Sequence, residues 1–315
     1  MTRRLLLCLL LLVCAAAQAQ DVYPSHPVRL IVPYPPGGTS DNAARVVAER
    51  LSTALKQPFV VDNRGGAAGT IGAQATEAAK PDGYTLMLAP TAVLVITPHL
   101  RKVPYDPFGF EPIGLVATSP SIAVVSADSP VRSMKDFVAL AKKEPGKLTF
   151  GSAGSGSITH LYGEVLKQRA GIDILHVPFK GSAESMNALL GKQIDVMIDP
   201  IALPQALAGK VRAIAIFGDR RIPQLPDVPT IVESGYDIDV PSWFGLFAPK
   251  GTPPAIIAKV SAELGKALRE PETDQKLVKL NLFPAYLDAA AFRKKLKEDD
   301  QLFSELIRKG GIKGE

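Results

Sequence analysis

The chain has 315 residues, of which 46% are hydrophobic, and this length predicts about two domains with a large core. The formal net charge is only +5, and the one dense basic run, RKKLK at 293–297, precedes EDD as on the solvated face of an amphipathic helix, so nucleic-acid binding is excluded. Both cysteines, Cys8 and Cys14, lie near the N-terminus, which leaves the rest of the chain without disulfides, thiol catalysis or cysteine metal sites.

Residues 1–19 predict a secretory signal peptide. Two arginines at 3–4 precede an apolar run that is too short for a membrane anchor of roughly 20 residues. The AQA sequence at 17–19 is an A-x-A site, so we expect cleavage after Ala19. A lipoprotein signal at Cys14 and a twin-arginine signal remain alternatives, and no later segment is apolar enough to cross a membrane.

Strand-like and helix-like segments then alternate. Strands are predicted at 28–34, 58–64 and 84–90, and helices at 41–56 and 70–80. Short β-rich runs that alternate with helices are typical of a parallel sheet covered on both faces. These segments predict a first α/β lobe.

Two apolar extended runs, 111–120 and 121–128, predict a connection into a second alternating block. A further extended run at 242–251 predicts a return to the first lobe, followed by helices at about 253–270 and 288–309. The predicted organisation is therefore a signal peptide (1–19), lobe 1 (20–121 and 243–315) and lobe 2 (122–242). Two crossings would form a hinge beside a cleft, where ligands of α/β proteins bind outside the carboxyl ends of strands.

The sequence PYPPGGTSD at 33–41, the first loop, follows a buried-looking strand. Proline ends the strand because it cannot donate to a ladder, and glycine allows a sharp bend. Thr39, Ser40 or Asp41 is then expected to cap the following helix. The exposed amides of such a helix start can receive an anion.

Two more loops share these properties: the second loop, LAPTAV at 88–93, and the third loop, FGSAGSGSITH at 150–160. Each follows a β-run and is rich in small or hydroxylated residues, so its amides and hydroxyls could hold a carboxylate or phosphate. For any one loop the alternative is a turn that only reverses the chain. Three of them at the same end of two sheets favour a ligand site.

Enzyme motifs are missing from the sequence: it has no G-x-S-x-G elbow, no P-loop and no H-E-x-x-H. An extracytoplasmic hydrolase would need a serine of 152–157 with His160 or His176 as its base, and this stays an alternative. His160 could donate to an anion or pack internally. Asp199, at the carboxyl end of a strand, could meet a ligand or cap the following turn. Trp243 could close over a ligand or belong to the core.

Several segments together resemble the tripartite tricarboxylate transporter substrate-binding proteins, also called Bug proteins. They include RLIVPYPPGGTSD, VVDNRGGAAGTIGA, PDGYTL, FGSAGSGSITHL, HVPFKGSA, LPDVPT and SWFGLFAPKGTP, in order along essentially the whole mature chain. The resemblance implies a type II-like periplasmic-binding-protein fold: two α/β lobes with central mixed sheets, joined by a two-strand hinge. It also implies a periplasmic, non-enzymatic receptor without a metal or cofactor.

The implied ligand is a small organic acid (a di- or tricarboxylate, an aromatic acid or an acidic amino acid), passed on by a monomeric receptor to membrane permease subunits. A receptor that feeds a sensor protein is an alternative. Asp199 matches a position that meets the ligand's amine in amino-acid-binding members, whereas Ile158 stands where many members have a hydroxyl residue. The predicted ligand-binding residues are Tyr34, Gly37, Gly38, Thr39, Ser40, Asp41, Thr91, Ala92, Ser155, Ser157, Thr159, His160 and Asp199.

Overall fold

The structure, a computed structural model, describes residues 23–238 and 240–312. The predicted signal peptide, with both cysteines, lies outside the described residues. Within them, no helix combines the length and the apolar character that a membrane crossing requires.

Six strands form the first sheet, which defines the first lobe. They are β1 (Val28–Val32), β2 (Phe59–Asn63), β3 (Thr85–Pro90), β4 (Phe110–Thr118), β10 (Trp243–Pro249) and β11 (Phe283–Asp288), in the spatial order β11-β4-β10-β3-β1-β2. The strands β1, β2 and β3 are parallel, as their alternation with helices predicts, but β10 is antiparallel to both β3 and β4. The sheet is therefore mixed, because a strand from the C-terminal part of the chain is inserted at its centre.

The second lobe is built on a sheet of five strands. They are β5 (Ser121–Ser126), β6 (Thr149–Ser152), β7 (Leu175–Pro178), β8 (Val196–Asp199) and β9 (Val211–Phe217), in the order β7-β6-β8-β5-β9. The neighbours of β6 are parallel to it, and the neighbours of β5 are antiparallel. This sheet is mixed as well.

Eleven helices in the described part of the chain cover these sheets. They are α1 (Thr39–Leu55), α2 (Thr70–Glu77), α3 (Thr91–Val95), α4 (Thr97–Leu100), α5 (Met134–Lys143), α6 (Ile158–Ala170), α7 (Ser182–Leu190), α8 (Ala202–Leu207), α9 (Pro254–Ala267), α10 (Pro271–Lys279) and α11 (Ala289–Gly310). Most apolar side chains on the inner strands of both sheets are buried against them, whereas Val60 on β2 and Leu175 on β7, both edge strands, are about half exposed. A core of this size suits a chain that has no cysteine among its described residues.

The two sheets join where β4 ends and β5 begins, and the returning chain lies beside this crossing. The Ser119 amide donates to the Ser242 carbonyl over 3.0 Å, so the two crossings are paired. Asn281, just before β11, adds a third contact: its Nδ2 donates to the Pro120 carbonyl over 2.7 Å and to the Pro200 carbonyl over 3.4 Å. Lobe boundaries near 121 and 243 remain a prediction, and both positions lie at this junction.

Candidate functional site

The first loop leads from β1 into α1 without a capping side chain. The helix begins at Thr39, two residues earlier than predicted, and the N-cap is Gly38, whose extended backbone carries no side chain. Thr39, Ser40 and Asp41 therefore lie inside the first turn, and the prediction that one of them is the N-cap is wrong. Because a glycine cap satisfies none of the helix's first amides, these amides stay available to another acceptor.

The Asp41 side chain does not line the cavity and instead holds the first loop in place. Its Oδ2 accepts the Gly37 amide over 2.9 Å and Arg45 Nε over 2.9 Å, while Oδ1 accepts Asn63 Nδ2 over 3.0 Å. Burial alone would raise the pKa of the Asp41 carboxyl, but the hydrogen bonds from Arg45, Gly37 and Asn63 outweigh it and lower that pKa. Asp41 is thus an ionised brace beneath the loop.

The third loop leads from β6 into α6, and its own side chains bond to it. Ser157 is the N-cap of α6 and accepts the His160 amide over 3.2 Å. Thr159 Oγ1 accepts the Ala153 amide over 2.8 Å and lies 2.9 Å from Ser157 Oγ. His160 Nδ1 accepts the Gly156 amide over 3.2 Å. The loop's shape is therefore fixed before any ligand arrives.

Two other helices begin at the same place. The short helix α3 starts directly after β3 with Pro90 as its N-cap, and α7 starts after β7 with Gly181 as its N-cap. Ser182 is the first helical residue of α7. The lobes touch here, because a Cβ at Gly181 would lie 3.2 Å from Cδ of Pro35 in the first loop.

A cavity of about 300 Å³ lies between these four helix starts. The described residues that line it are Tyr34, Pro35, Pro36, Gly38, Thr39, Ser40, Pro90, Ala92, Ala153, Ser157, Ile158, Thr159, Lys180, Gly181, Ser182, Ala183, Glu184, Asn187, Asp199, Pro200, Ser242 and Phe244. The N-terminal end of a helix carries roughly half a positive charge, so this enclosure favours an anion. Its volume suits a small molecule.

Eight of the predicted site residues line this cavity: Tyr34, Gly38, Thr39, Ser40, Ala92, Ser157, Thr159 and Asp199. The remaining five do not: Gly37, Asp41, Thr91, Ser155 and His160. The Gly37 amide is bonded to the Asp41 brace, and Thr91 Oγ1 exchanges hydrogen bonds with the backbone of Trp243 at 2.8 and 3.1 Å. His160 stacks on His176 with ring centroids 4.2 Å apart. A direct ligand contact from Asp41, Thr91 or His160 is therefore not supported by their positions.

The start of α7, with Lys180, Gly181 and Ser182, is the largest part of the site that sequence reasoning missed. The segment FKGSA follows β7 as the other loops follow their strands, so the same rule about the carboxyl ends of strands could have found it. Phe244 was missed as well, because the sequence pointed to its neighbour Trp243 as the aromatic residue that could close over a ligand.

Asp199 is fully buried at the end of β8 and faces the first lobe. Its Oδ2 accepts Ser182 Oγ over 2.5 Å, and its Oδ1 accepts the Ile201 amide over 2.9 Å, so it does stabilise the following turn. Burial raises the pKa of the Asp199 carboxyl to about 6, against the opposing effects of Ser182, Ile201 and Thr39. The Thr39 hydroxyl is close enough to act on this charge, yet it is buried without a hydrogen-bond partner of good geometry.

Trp243 belongs to the core and does not face the cavity. It is fully buried, its Nε1 donates to Asp299 Oδ2 over 2.7 Å, and its ring packs against Phe292 at a centroid distance of 5.1 Å. The side chain that lines the cavity from β10 is Phe244.

Ser152 of the third loop does form a pair with a histidine of β7, since Ser152 Oγ lies 2.6 Å from His176 Nε2. Ser152 is completely buried, however, and it does not line the cavity. A nucleophile must reach its substrate, so this pair gives the hydrolase alternative no support.

Comparison with known proteins gives one consistent result. The profile of the family described as "Tripartite tricarboxylate transporter family receptor" matches residues 43–312. The product of the tcbD–tcbE intergenic region of Pseudomonas sp. strain P51 is 39% identical over 271 residues, which cover 84% of this chain and 81% of that protein.

Solved structures agree with the profile. The periplasmic binding protein BugD superposes with a TM-score of 0.88 at 37% identity, over 93% of this chain and 100% of BugD. Rpa4515 of R. palustris, solved with adipate, gives a TM-score of 0.89 at 31% identity, over 92% of this chain and 98% of that chain. The resemblance and the two-lobed fold predicted from the sequence are confirmed.

Proposed function

Because the chain belongs to the tripartite tricarboxylate transporter family of receptors, we propose that it is a periplasmic receptor that captures a small organic carboxylate between its lobes. The observation that carries this proposal is the convergence of four helix starts on one cavity of about 300 Å³. Rpa4515, which shares the fold over nearly its whole length, was solved with a dicarboxylate.

The ligand's carboxylate would be held by helix amides and hydroxyls. The glycine caps of α1 and α7 leave first-turn amides without a capping side chain, and both helix starts line the cavity with the hydroxyl residues Thr39, Ser40 and Ser182. Amides fixed at a helix start stabilise a negative charge without needing a cationic side chain. The binding residues proposed from this geometry are Gly38, Thr39, Ser40, Ala92, Ser157, Thr159 and Gly181–Ser182.

Binding and closure are coupled in this proposal. Thr97 Oγ1 of the first lobe donates to the Gly156 carbonyl of the second lobe over 3.1 Å, so the two lobes share hydrogen bonds around the cavity. A ligand that contacts both lobes favours the conformation in which they meet. The closed form would then be recognised by the permease subunits, and no catalytic step is part of this function.

A melting-temperature screen tests the proposal. Adipate, malate, citrate, benzoate and glutamate are added to the mature protein, with glucose and ribose as neutral controls. A ligand that binds only the folded state raises the melting temperature, by an equivalent of about 2.7 kcal/mol at a hundred times its dissociation constant. A rise with a sugar and with none of the acids would overturn the carboxylate assignment.

The export and partner proposals need separate tests. N-terminal sequencing of protein from the periplasmic fraction should begin at Gln20, and Cys14→Ser should leave processing unchanged. Light scattering should give the mass of one chain. Co-purification with permease subunits of the transporter, dependent on added ligand, would support delivery to a permease rather than to a sensor.

A further inference from the structure

The cavity wall is mainly apolar, and some of its apolar residues lie at the helix starts themselves. Pro35, Pro90, Ala92, Ala153, Ile158 and Phe244 line it, and each of them apart from Pro35 is buried in the structure. Apolar walls stabilise apolar parts of a ligand because both surfaces leave water together. A ligand that fills this space must therefore present carbon to most of the wall.

The charges around the cavity compensate about one negative charge of a ligand at most. Among the described ionisable residues of the lining, Asp199 is buried and Tyr34 is a buried phenol. The cation Lys180 and the carboxylate Glu184, both at the start of α7, are exposed, so none of these residues is a buried cation. Three of the helices that begin here are eight residues or longer, and together their ends supply roughly one and a half positive charges. The Asp199 carboxylate offsets much of that, since Ser182 in the first turn of α7 donates to it and Thr39 of α1 lies beside it.

Ile158 is the residue that sets the character of the wall nearest the third loop. It is the first residue of α6, directly after the N-cap Ser157, and its side chain is 8% exposed. A hydroxyl residue at this position would add a donor beside Ser157 and Thr159. Isoleucine instead places a branched alkyl group at the positive end of the helix.

We infer that the ligand is a monocarboxylate with an apolar body, and that Ile158 selects for that body against polar di- and tricarboxylates. The inference rests on the proposed function, because it takes the carboxylate site as given. One carboxylate lies at the helix starts, and the carbon frame lies against Ile158 and Phe244. A second carboxylate placed against that apolar wall or beside Asp199 would lose hydration without compensation.

Calorimetric titration of the mature protein at pH 7.5 tests the inference with six probes. Benzoate, cyclohexanecarboxylate and hexanoate represent apolar bodies, while succinate, malate and citrate carry further charges. We expect the tightest binder to be one of the first three, by about tenfold or more over each of the others.

The variant Ile158→Thr keeps a β-branched side chain at the start of α6 and exchanges an ethyl group for a hydroxyl. It should weaken the best monocarboxylate by about fivefold to tenfold and leave malate unchanged or improved. Leu175→Thr is the matched control, because Leu175 is 51% exposed on β7 and outside the cavity; it should change neither affinity.

Three results would overturn the inference. The first is tightest binding by succinate, malate or citrate, which would leave the carboxylate receptor intact. The second is an equal loss of all ligands in Ile158→Thr, which would show general damage in place of selection. The third is no binding by any of the six probes, which would overturn the proposed function as well.

Discussion

The first and third loops face each other across the cavity, but they are stabilised in opposite ways. The first loop is held from behind by Asp41, and its helix start at Gly38 has no capping side chain. The third loop is held from within, because Ser157 and Thr159 accept amides of their own loop. The comparison indicates that the first loop offers uncapped helix amides to a ligand, whereas the third loop offers a preformed surface that includes Ile158.

Removal of the Asp41 carboxylate, which braces the first loop, should have the largest effect on stability and on ligand affinity. Asp41→Ala leaves the Gly37 N–H without its acceptor and removes one of the two acceptors of Asn63 Nδ2, so we expect a loss of about 2–4 kcal/mol of unfolding free energy. Carboxylate affinity should fall by about tenfold or more as the loop loses its shape. Urea unfolding and calorimetry measure the two effects.

The matched control is Asp62→Ala, because Asp62 makes only a half-exposed ion pair with Arg64 at 2.8 Å. It should cost less than about 1 kcal/mol and leave binding intact. The pKa of Asp41 is lowered, so its stabilisation is present above the ordinary carboxyl pKa and is lost as pH falls through the folded-state pKa. An Asp41→Ala variant as stable as the wild type at pH 7 would refute the brace.

Asp199 lies where the two lobes meet, and its charge should be costly to keep buried. Its pKa is raised to about 6 from an ordinary value of 3.8, so the cost is absent below about pH 4 and fully present above about pH 6. Asp199→Asn should therefore raise the melting temperature at pH 7.5, by an equivalent of up to about 3 kcal/mol.

The advantage of Asp199→Asn should shrink steadily between pH 6 and pH 4. Thermal unfolding of both proteins across this range checks the sign, with Asp195→Asn as a comparison, because Asp195 bonds Thr149 at the other end of β8. An advantage that does not change with pH would exclude titration of Asp199 as the cause.

Removal of the cap from the third loop should have a moderate effect. Ser157→Ala removes the side chain that caps α6, which costs about 1 kcal/mol of stability, and it should also weaken carboxylate binding. Ser133→Ala removes the equivalent cap of α5, where Ser133 accepts the Asp136 amide over 3.1 Å away from the cavity. If both variants lose the same stability and only Ser157→Ala loses affinity, the Ser157 side chain contributes to the ligand site. If both variants bind the ligand equally well, Ser157 has only a structural role.

The smallest effect is expected where the lobes share a hydrogen bond. Thr97→Val removes the bond from Thr97 to the Gly156 carbonyl and should weaken ligand binding by about fivefold. Thr53→Val is the control, because Thr53 bonds the Glu49 carbonyl on the exposed face of α1. Faster ligand release in stopped-flow traces of Thr97→Val alone would support closure, and unchanged release would count against it.

Much of the fold follows from the alternation of strands and helices in the sequence, but two elements near the C-terminus do not. The strand β11 has no alternating pattern and contains Pro284, which is tolerated because β11 is at the edge of its sheet. The helix α10 has only nine residues, and Leu277 and Val278 are its only large apolar side chains, so it offers too few residues to reveal an apolar period. The central position of β10 in its sheet could not be predicted from the sequence either, because strand order depends on contacts between distant parts of the chain.

The site was predictable to the level of loops, and less so to the level of side chains. The rule that ligands gather at the carboxyl ends of strands locates Gly38, Thr39 and Ser40 correctly at the cavity. It says nothing about which way a side chain points. Asp41 and His160 were therefore predicted to contact the ligand, although the hydrogen bonds in the structure hold both of them behind their loops.

The contact of Asn281 with both crossings has a mechanical consequence. Its backbone has a φ of +60° and its side chain reaches Pro200, the residue that follows Asp199 in the cavity wall. Any rotation of the second lobe that displaces Pro200 must stretch this 3.4 Å bond or pull the turn between α10 and β11 with it. Movement of the second lobe at the cavity wall would thereby be transmitted to the turn between α10 and β11 in the first lobe.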